Sequence, residues 1–357
     1  MADATGIFHT SYRRDLALRH TRAEWIRLVF IGAVAVALPF QLDSYWLQSA
    51  TRLLILAIAV VGLMVLTGYT GLVSLATGAF LGVGAFATAN VASRYGLPVP
   101  VGIAFGTVVA ALIGAFFGLP ALRLKGLYLA ITTLAAQYIL SYTFRNWDYL
   151  TDGAGNIAAK APCLGGTGKQ CVGGTKLDSD FVWYWIALVC LAVVVMAVRN
   201  LFRTGLGRAF IAIRDQDIAA EVIGVHVGRY KILAFALACG LAGFSGALNA
   251  HWRNVVTWER YEIDQSFLAV AMIIIGGLGS VAGAVYGAGF MIFLESYIQR
   301  LGQELRSSVA LIGENVPELQ LFVFGAVIVL FLLFEPRGLA RLWQRAKDYF
   351  RLWPFRY

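Results

Sequence analysis

Long apolar runs separated by short polar stretches are the main pattern along the chain. Each run is close to the roughly 20 residues that a helix needs to cross a hydrocarbon core of about 30 Å, whereas membrane β-strands alternate over about 10 residues. The pattern therefore predicts an all-α integral membrane protein with about ten transmembrane helices. The predicted spans are 25–40, 51–68, 72–92, 99–119, 127–144, 181–198, 232–250, 267–281, 284–298 and 319–334.

The eighth and ninth predicted spans are short, and only the glycine-rich turn 279–283 joins them. A re-entrant pair is therefore an alternative to two full crossings at this point.

Basic residues predict the orientation of the spans, because Lys and Arg accumulate in cytoplasmic loops. Arginines cluster before the first span, and Lys and Arg follow the last. Both termini are therefore predicted to be cytoplasmic, which agrees with an even number of spans. The predicted organisation is a basic tail over 1–24, a transmembrane domain over 25–340 with a periplasmic loop at 146–180 and a cytoplasmic loop at 200–231, and a second basic tail over 341–357.

Composition supports the membrane class. Hydrophobic residues make up 59% of the chain and charged residues only 14%, against about 25% charged in soluble domains. The basic tails explain the net charge of +9, so nucleic acid is not predicted as a partner.

The chain lacks the residue patterns of an enzyme or a metal site. His9, His20, His226 and His251 form neither a His-Glu-x-x-His motif nor a Cys/His ligand set. The segment GGTGKQ departs from a phosphate-binding loop at two positions. We therefore expect no metal and no cofactor in this chain, and any ATP to be bound by another one.

Two features leave alternatives open. Cys163 and Cys171 lie in the predicted periplasmic loop, where a disulfide and two free thiols are equally consistent with the sequence. Glu295 lies near the end of a span, so it is either a functional intramembrane acid or a carboxylate paired at an interface.

Small residues are dense in two segments, GYTGLVSLATGAFLGVGAFATA at 68–89 and GGLGSVAGAVYGAG at 276–289. They allow helices to pack closely, and clustered glycines also permit the broken helices that line transport pathways. The candidate translocation path comprises Gly71, Ser74, Thr77, Gly78, Gly276, Gly277 and Gly279.

The segment GRAFIAIRDQDIAAEVIGVHVGRYK at 207–231 is unusually polar for this chain. It predicts a helix over 208–214 and a second short helix from Asp215 or Asp217, which Gly224 would stop. The second helix has an apolar face that includes Ile218 and Val222. This face either packs on the bundle or enters a partner's groove.

The same segment resembles the signature of permease subunits of ATP-binding-cassette (ABC) importers, which is Glu-Ala-Ala, three residues and Gly. Here it is Ile218, Ala219, Ala220 and then Gly224, so the Glu is missing. Blocks such as LRLKGLYLAITTLA and IIIGGLGSVAGAVYGA are similar, in order, to the M-type branched-chain amino acid permeases over about 53–340. The insertion at 158–176 is longer than is usual in that family.

The resemblance implies a multi-pass permease of the bacterial inner membrane that takes up branched-chain amino acids. It implies four kinds of partner: a second permease subunit, two ABC ATPases that hold ATP and Mg, a periplasmic solute-binding protein and membrane lipid. The implied coupling residues are Arg214, Asp215, Asp217, Ile218, Ala219, Ala220, Glu221 and Gly224.

Other solutes and transport modes are alternatives. Within the same permease branch, the transported solute could instead be urea, a short amide or an aromatic carboxylate. A stand-alone secondary transporter or channel would need ionisable residues within the membrane, and the predicted spans hold few.

Overall fold

The computed structural model describes residues 22–124, 126–151, 156–158, 163–164, 175–176, 179–305, 316–335, 338–342 and 345. Most of both predicted tails therefore lies outside the described residues. The chain divides into two compact units, Met1–Leu47 and Gln48–Tyr357. In the first unit, helix α1 covers Arg22–Gln41 and is followed by the start of α2. Its exposed apolar side chains, such as Val34 and Phe40, are typical of a helix that faces lipid.

The second unit is a helical bundle with two small antiparallel sheets. Helix α2 covers Ser44–Leu63 and continues as a π-helix over Met64–Tyr69; short 3-10 turns lie at Leu119–Leu122 and Trp258–Tyr261. The other helices are α3 (Thr77–Tyr95), α4 (Val99–Phe117), α5 (Leu127–Asn146), α6 (Asp180–Leu201), α7 (Gly205–Asp215), α8 (Asp217–Val222), α9 (Val227–Arg253), α10 (Ile263–Gly276), α11 (Val281–Leu305) and α12 (Val316–Phe334). The strands are β1 (Asn156–Ala158), β2 (Cys163–Leu164), β3 (Thr175–Lys176) and β4 (Val255–Thr257).

Six helices in the described residues are long and apolar enough to cross a membrane, which confirms the prediction of a helical membrane protein. They are Ser44–Tyr69, Val99–Phe117, Leu127–Asn146, Asp180–Leu201, Val227–Arg253 and Val281–Gly302. Shorter apolar helices, Gly32–Gln41 and Gln320–Phe331, coincide with the first and last predicted spans.

Two predicted spans, the third and the ninth, differ from the helices observed, whereas the eighth is short as predicted. The third was predicted over 72–92, but α3 begins only at Thr77, after a non-helical stretch over 71–76. The eighth corresponds to α10, whose 14 residues reach about 21 Å, less than the thickness of a hydrocarbon core. The ninth is not short, because α11 has 25 residues.

Close packing through glycine holds α9 against α3 and α4 at the centre of the second unit. A Cβ at Gly84 of α3 would collide with the backbone of Gly243 in α9, and a Cβ at Gly246 with the Leu81 carbonyl. Ser245 adds a hydrogen bond of 2.6 Å from its Oγ to the carbonyl oxygen of Ile55 in α2. The small residues of 68–89 therefore serve helix packing, as their density predicts.

The Gly84→Ala substitution should destabilise this packing. The new methyl group would force α3 and α9 apart, and we expect the free energy of unfolding to fall by about 1–3 kcal/mol. Thermal unfolding of the detergent-solubilised protein measures the effect. Gly325→Ala in α12 is the matched control, because no atom lies within 4 Å of its added Cβ. Equal melting temperatures for the two variants would contradict the prediction.

The bundle has two distinct ends. One, which we call the sheet end, carries β1 paired with β4, with Asn156 opposite Thr257. There Trp252 Nε1 donates to Asp180 Oδ1 over 3.1 Å, which joins the end of α9 to the start of α6. The other, which we call the coupling end, carries α7 and α8, between the opposite ends of the same two helices. Since α6 has 22 residues, about 33 Å of helix separates the two ends.

Candidate functional site

The polar segment at the coupling end folds as two short helices, as its pattern predicts. Helix α7 covers Gly205–Asp215 and α8 covers Asp217–Val222, and the extended backbone of Gln216 separates them. Gly224 follows α8 with a φ of 90°, a conformation that a side chain would strain. This explains why the helix ends at this point.

Helix α8 exposes most of its apolar face. Ala220 is buried, but Ile218, Val222 and Ile223 are 71%, 83% and 75% exposed in the part of the chain that the structure describes. The sequence left open whether this face packs on the bundle or enters a partner's groove. Packing on the bundle is therefore wrong for these three side chains. An ion pair of 3.4 Å between Lys231 Nζ and Asp217 Oδ2 fixes the start of α8 to α9.

Arg214, at the end of α7, joins the coupling segment to both glycine-rich motifs. Its Nη1 donates to the carbonyl oxygen of Gly68 over 2.6 Å, where the π-helix ends. The same Nη1 would lie 3.4 Å from a Cβ added at Gly279, and the side chain passes equally close to Gly71. A movement of α7 would therefore reach the turn after α2 and the turn before α11 together.

Two further contacts reinforce this junction, and the sequence predicts neither of them. The Phe202 ring stacks on Tyr69 with 3.6 Å between the ring centroids. A Cβ added at Gly338 would lie only 2.5 Å from the backbone nitrogen of Gly277, so position 338 has no room for a larger residue. An aromatic residue at the end of a membrane helix was the available signal for Tyr69.

Polar side chains from other helices cap the interrupted start of α3. Thr133 Oγ1 accepts from the Leu75 N–H over 3.0 Å, and Ser266 Oγ accepts from the Gly78 N–H over 2.7 Å. Gln137 Oε1 accepts from the Ala79 N–H over 2.7 Å. These bonds satisfy backbone groups that would otherwise be unpaired in an apolar interior. The signal in the sequence was a glutamine in the middle of an apolar run.

Three cavities follow one another along α9. The first, about 490 Å³, lies at the coupling end and is lined by Gly71, Arg214, Asp215, Asp217, Ile218 and Lys231 among others. The second holds about 10 Å³ and is lined by Ser74, Thr77, Phe80, Ala238 and neighbours. The third, about 430 Å³, lies at the sheet end beside Asn249 and Arg253. The middle cavity has room for about one water molecule, so it separates the two larger ones.

The predicted path residues therefore fall into two groups. Gly71, Ser74 and Thr77 line these cavities, and Gly78 packs against Ser266. The second group is not among the described residues that line them: Gly276 packs against Gly283, Gly277 against Gly338, and Gly279 contacts Arg214.

Of the other predicted coupling residues, Ala219, Glu221 and Gly224 are exposed at the coupling end. They are thus available to a partner, as are Ile218 and Val222.

Glu295 is a paired carboxylate. Of the two interpretations of the sequence, a functional intramembrane acid and a carboxylate paired at an interface, the second therefore agrees with the structure. Its Oε1 accepts from Arg52 Nη1 over 2.7 Å and from Gln299 Nε2 over 3.3 Å. Its buried Oε2 has no hydrogen-bond partner among the described residues. The pair joins α2 to α11 near the sheet end.

The predicted disulfide falls only partly on the described residues. Cys163 begins β2, opposite Lys176 in β3, and Cys171 lies outside the described residues. Cys190 and Cys239 are free thiols within α6 and α9.

The fold and the coupling end define a helical membrane protein of the transport-permease class. The chain belongs to the family described as branched-chain amino acid transport system / permease component, whose model matches residues 45–332. No solved structure matches the chain.

Named relatives agree with the family. The chain is 29% identical to the high-affinity branched-chain amino acid transport system permease protein LivM of Escherichia coli, over 87% of this chain and 74% of the relative. It is 23% identical to a probable LivM of Methanocaldococcus jannaschii, over 66% of each protein. It is also 26% identical to the fructose import permease protein FrcC of Rhizobium meliloti, over 82% of this chain and 83% of the relative.

Proposed function

We propose that this chain is the permease subunit of an ABC importer that carries branched-chain amino acids across the bacterial inner membrane. The observation that carries the proposal is the exposed apolar face of α8, which Arg214 and Lys231 fix to the bundle. The names of the LivM relatives support the class of solute.

The proposed topology has ten spans and cytoplasmic termini. The coupling end then faces the cytoplasm and the sheet end faces the periplasm. The basic residues of both tails support this orientation. The partners are a second permease subunit, two ABC ATPases that bind ATP and Mg, and a periplasmic solute-binding protein. This subunit performs no chemistry of its own.

Coupling would proceed through the contacts of α7 and α8. Helix α8 docks in a cleft of one ATPase, which covers Ile218, Val222 and Ile223. Closure of the ATPases on ATP moves α8, and Arg214 transmits the movement to Gly68 and its neighbours. The non-helical stretch 71–76 then shifts, and the small cavity beside it widens.

Uptake by the assembled transporter tests the solute class. The four kinds of subunit are reconstituted in proteoliposomes, and radiolabelled leucine uptake is measured with and without ATP. We expect ATP-dependent uptake that isoleucine and valine inhibit, whereas urea, acetamide, benzoate and fructose do not. Uptake that is independent of ATP, or inhibition by one of the second group alone, would contradict the proposal.

The proposed periplasmic loop also contains the proposed disulfide between Cys163 and Cys171. We expect peptide mass spectrometry without reduction to detect the two cysteines in one linked peptide, because the periplasm is oxidising. Alkylation of both thiols in the unreduced protein would show that the bond is absent.

A further inference from the structure

The cavity at the sheet end combines charges of both signs with apolar side chains. Its volume is about 430 Å³. Its lining contains the exposed charged residues Arg253, Glu259, Arg260 and Asp264 and the buried residues Leu56, Leu81 and Tyr261. Arg52, Asn249 and Gln265 complete the lining. A free amino acid with an apolar side chain has the same division between a doubly charged end and a hydrocarbon end.

The cavity reaches deep into the bundle. Gln137, in the middle of α5, donates from Nε2 to the carbonyl oxygen of Tyr261 over 2.8 Å. It also accepts at Oε1 from the hydroxyl of Ser266 over 2.9 Å. The start of α10, with Asp264, therefore lies near the middle of a membrane-spanning helix. Ionisable groups at such depth are costly and normally face a water-filled, functional cavity.

Three arginines lie close together in the wall of the cavity. Arg253 lies over the Trp252 ring, 4.3 Å from its centroid, and is close enough to Arg52, Arg260 and Asp180 for all three charges to act on it. The buried carboxylate of Glu295 binds Arg52 and holds it in the wall. Arg253 and Arg260 both line the cavity, where a carboxylate would relieve their mutual repulsion and accept charge-assisted hydrogen bonds.

We propose that this cavity is a binding site for a zwitterionic amino acid with an apolar side chain. The carboxylate lies between Arg253 and Arg260, the ammonium group faces Asp264 and Glu259, and the side chain contacts Leu56 and Leu81. The identity of the solute and the periplasmic position of the site rest on the proposed function.

The site would act as a loading position. The next cavity along α9 holds only about 10 Å³, which is too small for an amino acid. A solute released at the sheet end therefore remains in the large cavity until the bundle rearranges. Such a site needs only weak affinity, because the solute must leave it in every cycle.

Direct ligand binding tests the assignment. The assembled transporter is placed in lipid nanodiscs without the binding protein and studied by saturation-transfer NMR. The probes are leucine, 4-methylpentanoate, which lacks the ammonium group, and isopentylamine, which lacks the carboxylate. We expect leucine to bind at least about fivefold more tightly than either analogue, because each analogue loses one charge-assisted contact.

Two variants separate the charged contacts. Arg253→Gln should weaken leucine and 4-methylpentanoate about tenfold and leave isopentylamine unchanged. Asp264→Asn should weaken leucine and isopentylamine and leave 4-methylpentanoate unchanged. Arg145→Gln is the control: this arginine lies at the same end but over the Trp258 ring, outside the cavity lining.

The pattern across the ligands decides the outcome. Equal weakening of all three ligands in either variant would indicate a structural effect and overturn the proposal. Unchanged leucine binding in both variants would also overturn it. If proteoliposomes import leucine but neither variant changes its binding, the cavity assignment fails and the proposed function stands. If leucine binds with the expected pattern but is not imported, the proposed function fails and the binding site stands.

Discussion

The Ile218→Asp substitution should weaken the binding of the ATPase subunits about 100-fold and abolish ATP-driven uptake. Ile218 is 71% exposed on the apolar face of α8, and we propose that an ATPase cleft covers it. An unpaired carboxylate in such a cleft costs about 3 kcal/mol, which corresponds to that factor. Co-purification with the tagged permease measures ATPase binding, and leucine uptake in proteoliposomes measures function.

Tyr95→Asp is the matched control for Ile218→Asp. Tyr95 is also 71% exposed, but it ends α3 at the sheet end. We expect this variant to retain its ATPase subunits and its uptake. Both variants should remain folded, because neither side chain is buried. If Ile218→Asp retains both properties, α8 is not the site at which the ATPases dock.

The sequence predicts the class of the protein well. The length and hydrophobicity of its apolar runs are set by the thickness of the bilayer, and they do not depend on how the helices pack together. The same is true of α8, where an acidic start and Gly224 give local signals for both ends. The exposure of Ile218 could not be predicted, because an apolar face of one short helix fits a bundle and a partner equally well. Only the packed structure distinguishes the two.

The interrupted start of α3 could not be predicted from the sequence, for a different reason. Hydropathy records how apolar a segment is and not where its backbone hydrogen bonds go. Leu75, Gly78 and Ala79 are bonded to side chains from α5 and α10, which are distant in sequence. The outer limits of this span were therefore close, but the break between helix and loop depended on Gln137 and Ser266.

The structure also suggests another role for the second glycine-rich segment, 276–289. The density of small residues predicts Gly276, Gly277 and Gly279 on the translocation path, by analogy with broken transporter helices. In the structure they surround the junction at which Arg214 meets the bundle. A role in transmitting movement fits these contacts, because the glycines allow three backbones to approach within one small region.

The Arg214→Ala substitution should uncouple ATP hydrolysis from uptake. The hydrogen bond from Arg214 Nη1 to the Gly68 carbonyl oxygen is a direct polar link between α7 and the end of the π-helix. Its loss leaves that carbonyl unpaired and costs about 1–3 kcal/mol. Since α8 is unchanged, the ATPases should still bind and hydrolyse ATP, whereas leucine uptake per ATP should fall at least about tenfold. Parallel measurements of phosphate release and uptake give this ratio.

Two further variants separate coupling from simple loss of charge or stability. Arg123→Ala removes an exposed arginine from the 3-10 turn that follows α4, and it should leave the ratio unchanged. Arg214→Lys retains one donor towards Gly68, so it should restore part of the uptake. An equal fall in hydrolysis and uptake for Arg214→Ala would mean that Arg214 only supports docking. If hydrolysis and uptake both keep their wild-type values, movement reaches the stretch 71–76 by another route, through Lys231 and α9.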